Sequence, residues 1–316
     1  MGMLRHILPK LLLGVFLTGG VLHAQEEKLE RARKLFMEKQ FEAARLAIDS
    51  VVLHPQTSAD FLSWTTRAYI YNEVFKRSNE KMWLKSPLRD TIINCLKTSN
   101  KLEPDTVYIN NNRKMYRTLS YGMFNLAKAL YQDSLNYERS QVAYNNFKTL
   151  YLNFDAKETF KAKDLEYYLA VGSFYSSIFN QNMKNFKAMD VAKVTLMKAL
   201  DIQPDHPNAL MNMGLMYFNQ AVMLVKELEG GEDFEKIDEI QTSMVKLAKQ
   251  AEGFILKVYT NDPKNTKAMR ALFQIYRMLS EIEKSDDFKK KLKENGVDVD
   301  KEAQEAEQQN KSETGK

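Results

Sequence analysis

The chain has 316 residues, 44% hydrophobic and 28% charged, with a formal net charge of +5. That balance suits a folded protein with a real core, and it is too mild, with no long basic run carrying interleaved aromatics, to indicate nucleic acid as a ligand. A single cysteine, Cys95, excludes an intrachain disulfide, and seven prolines and twelve glycines without strand-like alternation indicate an all-helical protein.

At the N-terminus Arg5 and Lys10 precede an apolar run from Leu11 to Leu22, followed by His23 and Ala24. A basic start, a short apolar core and a small residue at the end predict a signal peptide over residues 1–24. A run of twelve residues falls short of the ~20 that span a bilayer. With no cysteine after the run, no lipid anchor is expected, and the mature chain is expected to begin at Gln25, in the periplasm or beyond. Removal of Arg5 and Lys10 lowers the net charge to +3.

The rest of the chain repeats a two-part pattern. Arg31-Ala32-x2-Leu35 leads to Ala44-x3-Ile48 and Pro55. Trp64-x2-Arg67-Ala68-x2-Tyr71 leads to Ile92-x3-Leu96-x7-Pro104. Met123-x2-Leu126-Ala127-x2-Leu130 leads to Ser140-x3-Tyr144-x7-Leu152. Tyr168-x2-Val171-Gly172-x2-Tyr175 leads to Ala192-x3-Leu196-x7-Pro204. Leu210-x2-Met213-Gly214-x2-Tyr217 leads to Ala251-x3-Ile255-x7-Pro263. Met269-x2-Leu272-Phe273-x2-Tyr276 opens a last copy whose second half, around Phe288 to Leu292, is degenerate. Spacings of three and four place each small–large set on one helical face. The prolines stop the second helices and bias Glu103, Gln203 and Asp262 away from helical angles.

These patterns resemble the two halves of the tetratricopeptide (TPR) repeat. The resemblance covers roughly residues 25–296 and implies an α-α superhelix of about six irregular helix pairs, stacked because one pair cannot bury its apolar face alone. The extra length in some copies falls between the two halves: Gly172 to Ala192 is 20 residues, and Gly214 to Ala251 is 37. It predicts insertions at the turn inside a repeat. One insertion, Lys76 to Ser86, carries Met82 and Trp83 among Arg77, Lys81 and Lys85, with Ser86-Pro87 as cap and first helical residue. Trp83 is read as folding back onto the adjacent helices, an exposed anchor being the alternative. The polar stretch 297–316 is expected to be disordered.

In TPR proteins the first helices line a groove that holds a partner. The residues left over once the stacking face is assigned predict its lining here: Tyr69 and Asn72, Lys128 and Tyr131, Asn208, Met211, Leu215 and Phe218, and Lys267, Arg270 and Arg277. Some TPR domains clamp a terminal carboxylate with Lys, Asn and Arg from successive repeats. Asn212 and Lys267 match two such positions, but Leu169, Ser173 and Ala271 depart from the pattern, so a looser groove for an apolar or extended segment is expected.

Signals for chemistry are absent from the pattern. His54 and His206 both sit beside prolines in inter-repeat turns, and neither joins a metal-ligand cluster. Glu158 and Glu166 could pair as acid and base, but solvated faces explain them. Four Asp-Ser/Thr-apolar triplets (at Asp49, Asp90, Asp105 and Asp133) resemble an O-glycosylation sequon of exported bacterial proteins, and equally suit helix caps and turns. The expectation is a non-catalytic scaffold or adaptor of the cell envelope, without cofactor or metal. Its partners would be envelope proteins, with no nucleic acid and with membrane contact only through those partners. A chaperone-like carrier and, further off, an enzyme are the alternatives.

Overall fold

The computed structural model describes residues 26–103, 107–133, 135–228 and 234–314, and among these there is no strand. The predicted signal segment, Pro104, and parts of the Asp105 and Asp133 triplets lie outside the described residues.

Among the described residues six helix pairs run in chain order. They are α1 (26–37) with α2 (Phe41–Val52), α4 (Phe61–Arg77) with α5 (Pro87–Leu102), α6 (Val107–Gln132) with α7 (Tyr137–Tyr151), α8 (Lys161–Gln181) with α9 (Phe186–Ile202), α10 (Pro207–Leu228) with α11 (Phe234–Asn261), and α12 (Thr266–Met278) with α13 (Ile282–Glu294). A single turn, α3 (Pro55–Ser58), separates the first two pairs, and α14 (Val299–Thr314) follows the last. Two compact units divide the chain, the first ending at Thr159 and the second starting at Phe160. Each holds three pairs as a short helical-repeat stack, with partners packed most closely within a pair and consecutive pairs in contact.

The boundaries follow local chemistry. Asp60 caps α4 by accepting from Leu62 N and Ser63 N, and Ser86 caps α5 ahead of Pro87 at its first position. Asn136, Asn185 and Asn265 cap α7, α9 and α12. At the other ends Glu103 (φ −135°, ψ 90°) and Gln203 (φ −136°, ψ 92°) leave the helical region directly before proline, as the sequence predicts.

Several turns close without glycine. Gln40 N donates to Leu35 O, Asn136 N to Leu130 O and Glu281 N to Tyr276 O, while Lys39, Leu135 and Ser280 take left-handed angles (φ 61°, 49° and 57°). The bonds at Gln40 and Glu281 are six-to-one helix closures, the one at Asn136 spans one residue more, and in each turn an ordinary residue stands where glycine is the usual occupant.

The predicted small–large register is the packing register. A Cβ on Gly172 would lie 2.6 Å from Leu196 Cγ, and one on Gly214 would lie 2.5 Å from Ile255 Cδ1. Each glycine therefore makes room for the large residue of its own partner helix rather than chiefly for a backbone. Ala68, Ala192, Ala251, Leu196 and Ile255 are all fully buried. Tyr71 and Tyr175 are buried on the same faces.

Two expectations change. The extra length within pairs is largely helical: α11 alone has 28 residues. Insertion there extends the helices rather than building a long loop. The stretch 297–316, expected to be disordered, contains α14. Asp298 Oδ1 accepts from the N–H groups of Asp300 and Lys301, and Glu302 and Asp300 pair with Arg270 and Lys289. Composition alone underrates a polar helix that has a cap and a charged face to dock against.

Candidate partner-binding surfaces

Four of the predicted groove residues converge in the second unit. Asn208, Met211 and Leu215 of α10 and Lys267 of α12 line one cleft of about 280 Å³, completed by Ser173, Pro207, Asn212, Val258 and Asn265. The cleft exists because α8, α10 and α12, the first helices of successive pairs, pack in sequence. Met211 and Leu215 are half-buried, and Asn208 and Lys267 are exposed at the mouth. Asn212 Nδ2 donates to Ser173 Oγ at 3.1 Å, and Asn265 Oδ1 is occupied by Ala268 N. Of the two positions that match a carboxylate clamp, Asn212 is therefore engaged within the protein, whereas Lys267 is exposed.

The remaining predicted positions separate. Phe218 is half-buried on α10 and does not line the cleft. Arg270 forms a two-bond pair with Glu302 of α14 at 2.5 and 3.0 Å, which holds the Glu302 carboxyl below its ordinary range. Arg277 is exposed, with its guanidinium over the Phe273 ring. The apolar-to-basic lining expected along this groove is thus reduced to Lys267, because α14 supplies an acid to Arg270.

In the first unit the correction is larger. Asn72 and Tyr131 are 8% and 2% exposed, so they belong to the interior and not to a groove wall. Asn72 lines a small slot of about 190 Å³ with Phe75, Leu119 and Met123. The stripe assigned to α4 and α6 rotates inward toward the helices that pack beside it. Thr65, two turns before Asn72 on α4, is likewise buried and bonded to Ser99 of α5. Lys128 is half-buried, with its ammonium 4.7 Å over the Phe124 ring. Tyr69 is 36% exposed, and partial burial raises its hydroxyl pKa.

A second surface forms around the Trp83 insertion. Ser78 caps a short 3-10 turn (Asn79–Met82), and Arg89 of α5, itself 4% exposed, reaches back to hold the loop. Its guanidinium donates to Trp83 O at 3.1 Å, Leu84 O at 2.7 Å and Met123 Sδ at 3.0 Å. Burial lowers its pKa. Glu80 accepts from Ser86 Oγ and Leu88 N, and Asn146 of α7 donates to Leu84 O. The loop backbone is tied to the adjacent helices, but the Trp83 side chain, read from the sequence as folding back onto them, stays 49% exposed because Arg89 holds the Trp83 carbonyl and not its ring. It edges a cleft of about 670 Å³ between α5 and α7. Arg89 carried no signal in the sequence beyond its place after Ser86-Pro87.

A third cluster joins the first two pairs. Arg67 Nε donates to Asp49 Oδ1 at 2.9 Å, the Tyr71 hydroxyl donates to the same carboxylate, and Arg67 lies 4.8 Å over the Tyr71 ring. Cys95 is buried beside it, and burial pushes its thiol up to about 11. A thiol so raised is protonated and unreactive near neutrality. Asp49 of the first sequon-like triplet is thus an ion-pair residue. Ser50 Oγ and Thr91 Oγ1 donate back to the helix carbonyls of Ala47 and Pro87. Among the described residues no group of three His, Cys, Asp or Glu side chains could hold a metal ion, and no helix is long and apolar enough to cross a membrane.

No protein-family model matches the chain, and no curated protein matches it. Solved structures are similar at low identity. An IFIT1 monomeric mutant with m7Gppp-AAAA has 16% identity and a TM-score of 0.35, covering 85% of this chain and 50% of that one. PilW, a type IV pilus biogenesis factor, has 12% identity and a TM-score of 0.29, covering 86% and 93%. The TPR2AB domain of yeast Sti1, in complex with pHSP90, has 12% identity and a TM-score of 0.26, covering 90% and 95%. The chain spans about half the length of the IFIT1 chain. At these scores the likeness is one of helical architecture and extends to no ligand.

Proposed function

We propose that this protein is a non-catalytic scaffold or adaptor of the bacterial cell envelope, exported with loss of residues 1–24, that binds a segment of an envelope protein in the α8–α10–α12 cleft. The observation that carries the reading is the convergence of Asn208, Met211, Leu215 and Lys267 on one cleft between successive first helices. Half-buried methionine and leucine offer adaptable apolar contact, and the exposed amide and ammonium at the mouth can meet a backbone and an acidic group. Rigid helices hold these groups in place, so little ordering is needed on binding. Nucleic acid has no part in this reading.

Site-specific photocrosslinking in native cells tests it. A benzophenone amino acid at Leu215 should give one discrete protein adduct, lost when Lys267 is changed to Glu. The same probe at Met197, 44% exposed on α9, should give none. Equal adducts from both positions, or none from Leu215, would refute the assignment. A ladder of many adducts from Leu215 would favour a carrier of unfolded chains.

A further inference from the structure

We propose that the cleft beside Trp83 is a second, separate docking surface, and that it receives a protein segment carrying a large apolar side chain flanked by acidic residues. The floor is apolar: Ile93 and Leu150 lie buried beneath it, while Trp83 and Val142 are 49% and 47% exposed on opposite walls. Met82, on the same loop, is 54% exposed. Exposed tryptophan and methionine beside arginine is the composition of binding anchors.

Charge selects the occupant. Lys85 and Arg139 stand exposed on the rim, and neither forms an ion pair among the described residues. Below them lies Arg89, a buried cation whose donors go to two carbonyls and a sulfur and to no carboxylate. Asp90 is the one acid in the lining. Three cations against Asp90 in the lining and Glu80 behind Arg89 still leave a net positive charge over an apolar floor, which acidic groups on a partner would complement. The volume of about 670 Å³ admits more than one side chain. The loop is already held by Arg89, Glu80 and Asn146, so the partner need not order it. The surface uses residues of α5, α7 and the insertion only, so it can be tested apart from the α8–α10–α12 cleft.

The test is anisotropy of a fluorescein-labelled peptide with one phenylalanine flanked by aspartates and glutamates, titrated with the full chain. A matched peptide with lysines in the acidic positions is the control. The acidic peptide should bind and weaken with added salt; the lysine peptide should not. Lys85→Glu with Arg139→Glu, and separately Trp83→Ala, should each weaken binding about tenfold or more, with circular dichroism unchanged. Met211→Asp with Leu215→Asp should leave it unaltered. Equal binding of both peptides, insensitivity to the rim and Trp83 variants, or loss with the α10 variants would overturn the proposal. So would a Trp83-dependent self-association without peptide binding, which would make the occupant a second copy of the chain.

Discussion

Four helix-interior glycines form an internally controlled experiment on the packing register. A Cβ added at Gly122 or Gly253 would meet nothing within 4 Å, whereas one at Gly172 or Gly214 would face side chains at 2.6 and 2.5 Å. Alanine at an unhindered helical position is favoured over glycine by about 0.5–1 kcal/mol. Gly122→Ala and Gly253→Ala should therefore stabilise the protein by that amount. At Gly214 the added methyl would meet Ile255 Cδ1 and Cγ1 at 2.5 and 2.6 Å and the Ala251 carbonyl oxygen at 3.3 Å. Carbon pairs rest near ~3.5–4.0 Å, so α10 and α11 must separate by about 1 Å or Ile255 must leave its rotamer. Overpacking of this kind costs about 1–3 kcal/mol, and after the helix-propensity gain Gly214→Ala should lose about 1–2 kcal/mol. Gly172→Ala, against Leu196 and Thr195 Oγ1, should behave alike. Ile255→Ala alone should cost about 2–5 kcal/mol, and the double variant should cost less than the sum because the new methyl occupies vacated space. Chemical denaturation of the set decides it. If Gly214→Ala stabilised as much as Gly122→Ala, the small–large register would be wrong.

The remaining predictions concern turns, titration and the last helix. Ser280→Gly should stabilise by about 1 kcal/mol, because Ser280 sits at φ 57° where glycine carries no Cβ penalty; a lower thermal midpoint would contradict the closure described. Burial raises the Cys95 thiol from 9.0 to about 11, so the unfolded chain releases that proton first. The contribution of Cys95 to stability is therefore fully present below pH 9 and lost as pH rises toward 11, and Cys95→Ala should flatten that part of the profile. Ellman's reagent should react slowly with the folded protein at pH 8 and rapidly after denaturant. Glu302→Gln should speed amide exchange in α14 while leaving α8 and α9 unchanged, and unaltered exchange would show that the Arg270 pair does not hold the helix. Intact mass of protein from the envelope fraction should start at Gln25; a mass retaining residues 1–24 would contradict export with cleavage.

Helix pairs were legible because their rules are local. Gly172 with Leu196 and Gly214 with Ile255 are small–large complements, and proline leaves Gln203 one available backbone region. Groove positions were harder. Whether a residue such as Asn72 or Tyr131 faces a partner or the next helix depends on a rotation of less than one residue about the axis. That rotation is set by packing across the stack, which no spacing within one helix records. The neutralisation of Arg270 depended on α14, whose low hydrophobicity concealed it. The Trp83 cleft depended on Arg89, a buried cation that only the folded loop explains. The left-handed turns at Lys39, Leu135 and Ser280 went unsignalled because closure of the helix end imposes them on ordinary residues.

The central claim is that a partner segment is held by the apolar floor of the α8–α10–α12 cleft. Its most direct measurement is the affinity of the crosslinked partner, once purified, for wild-type protein and for Met211→Asp with Leu215→Asp, by isothermal titration calorimetry at fixed salt. Loss of buried anchors predicts a drop of roughly thirtyfold or more, with the circular dichroism spectrum unchanged. An unchanged dissociation constant in a folded variant would place the partner elsewhere on the molecule and contradict the account.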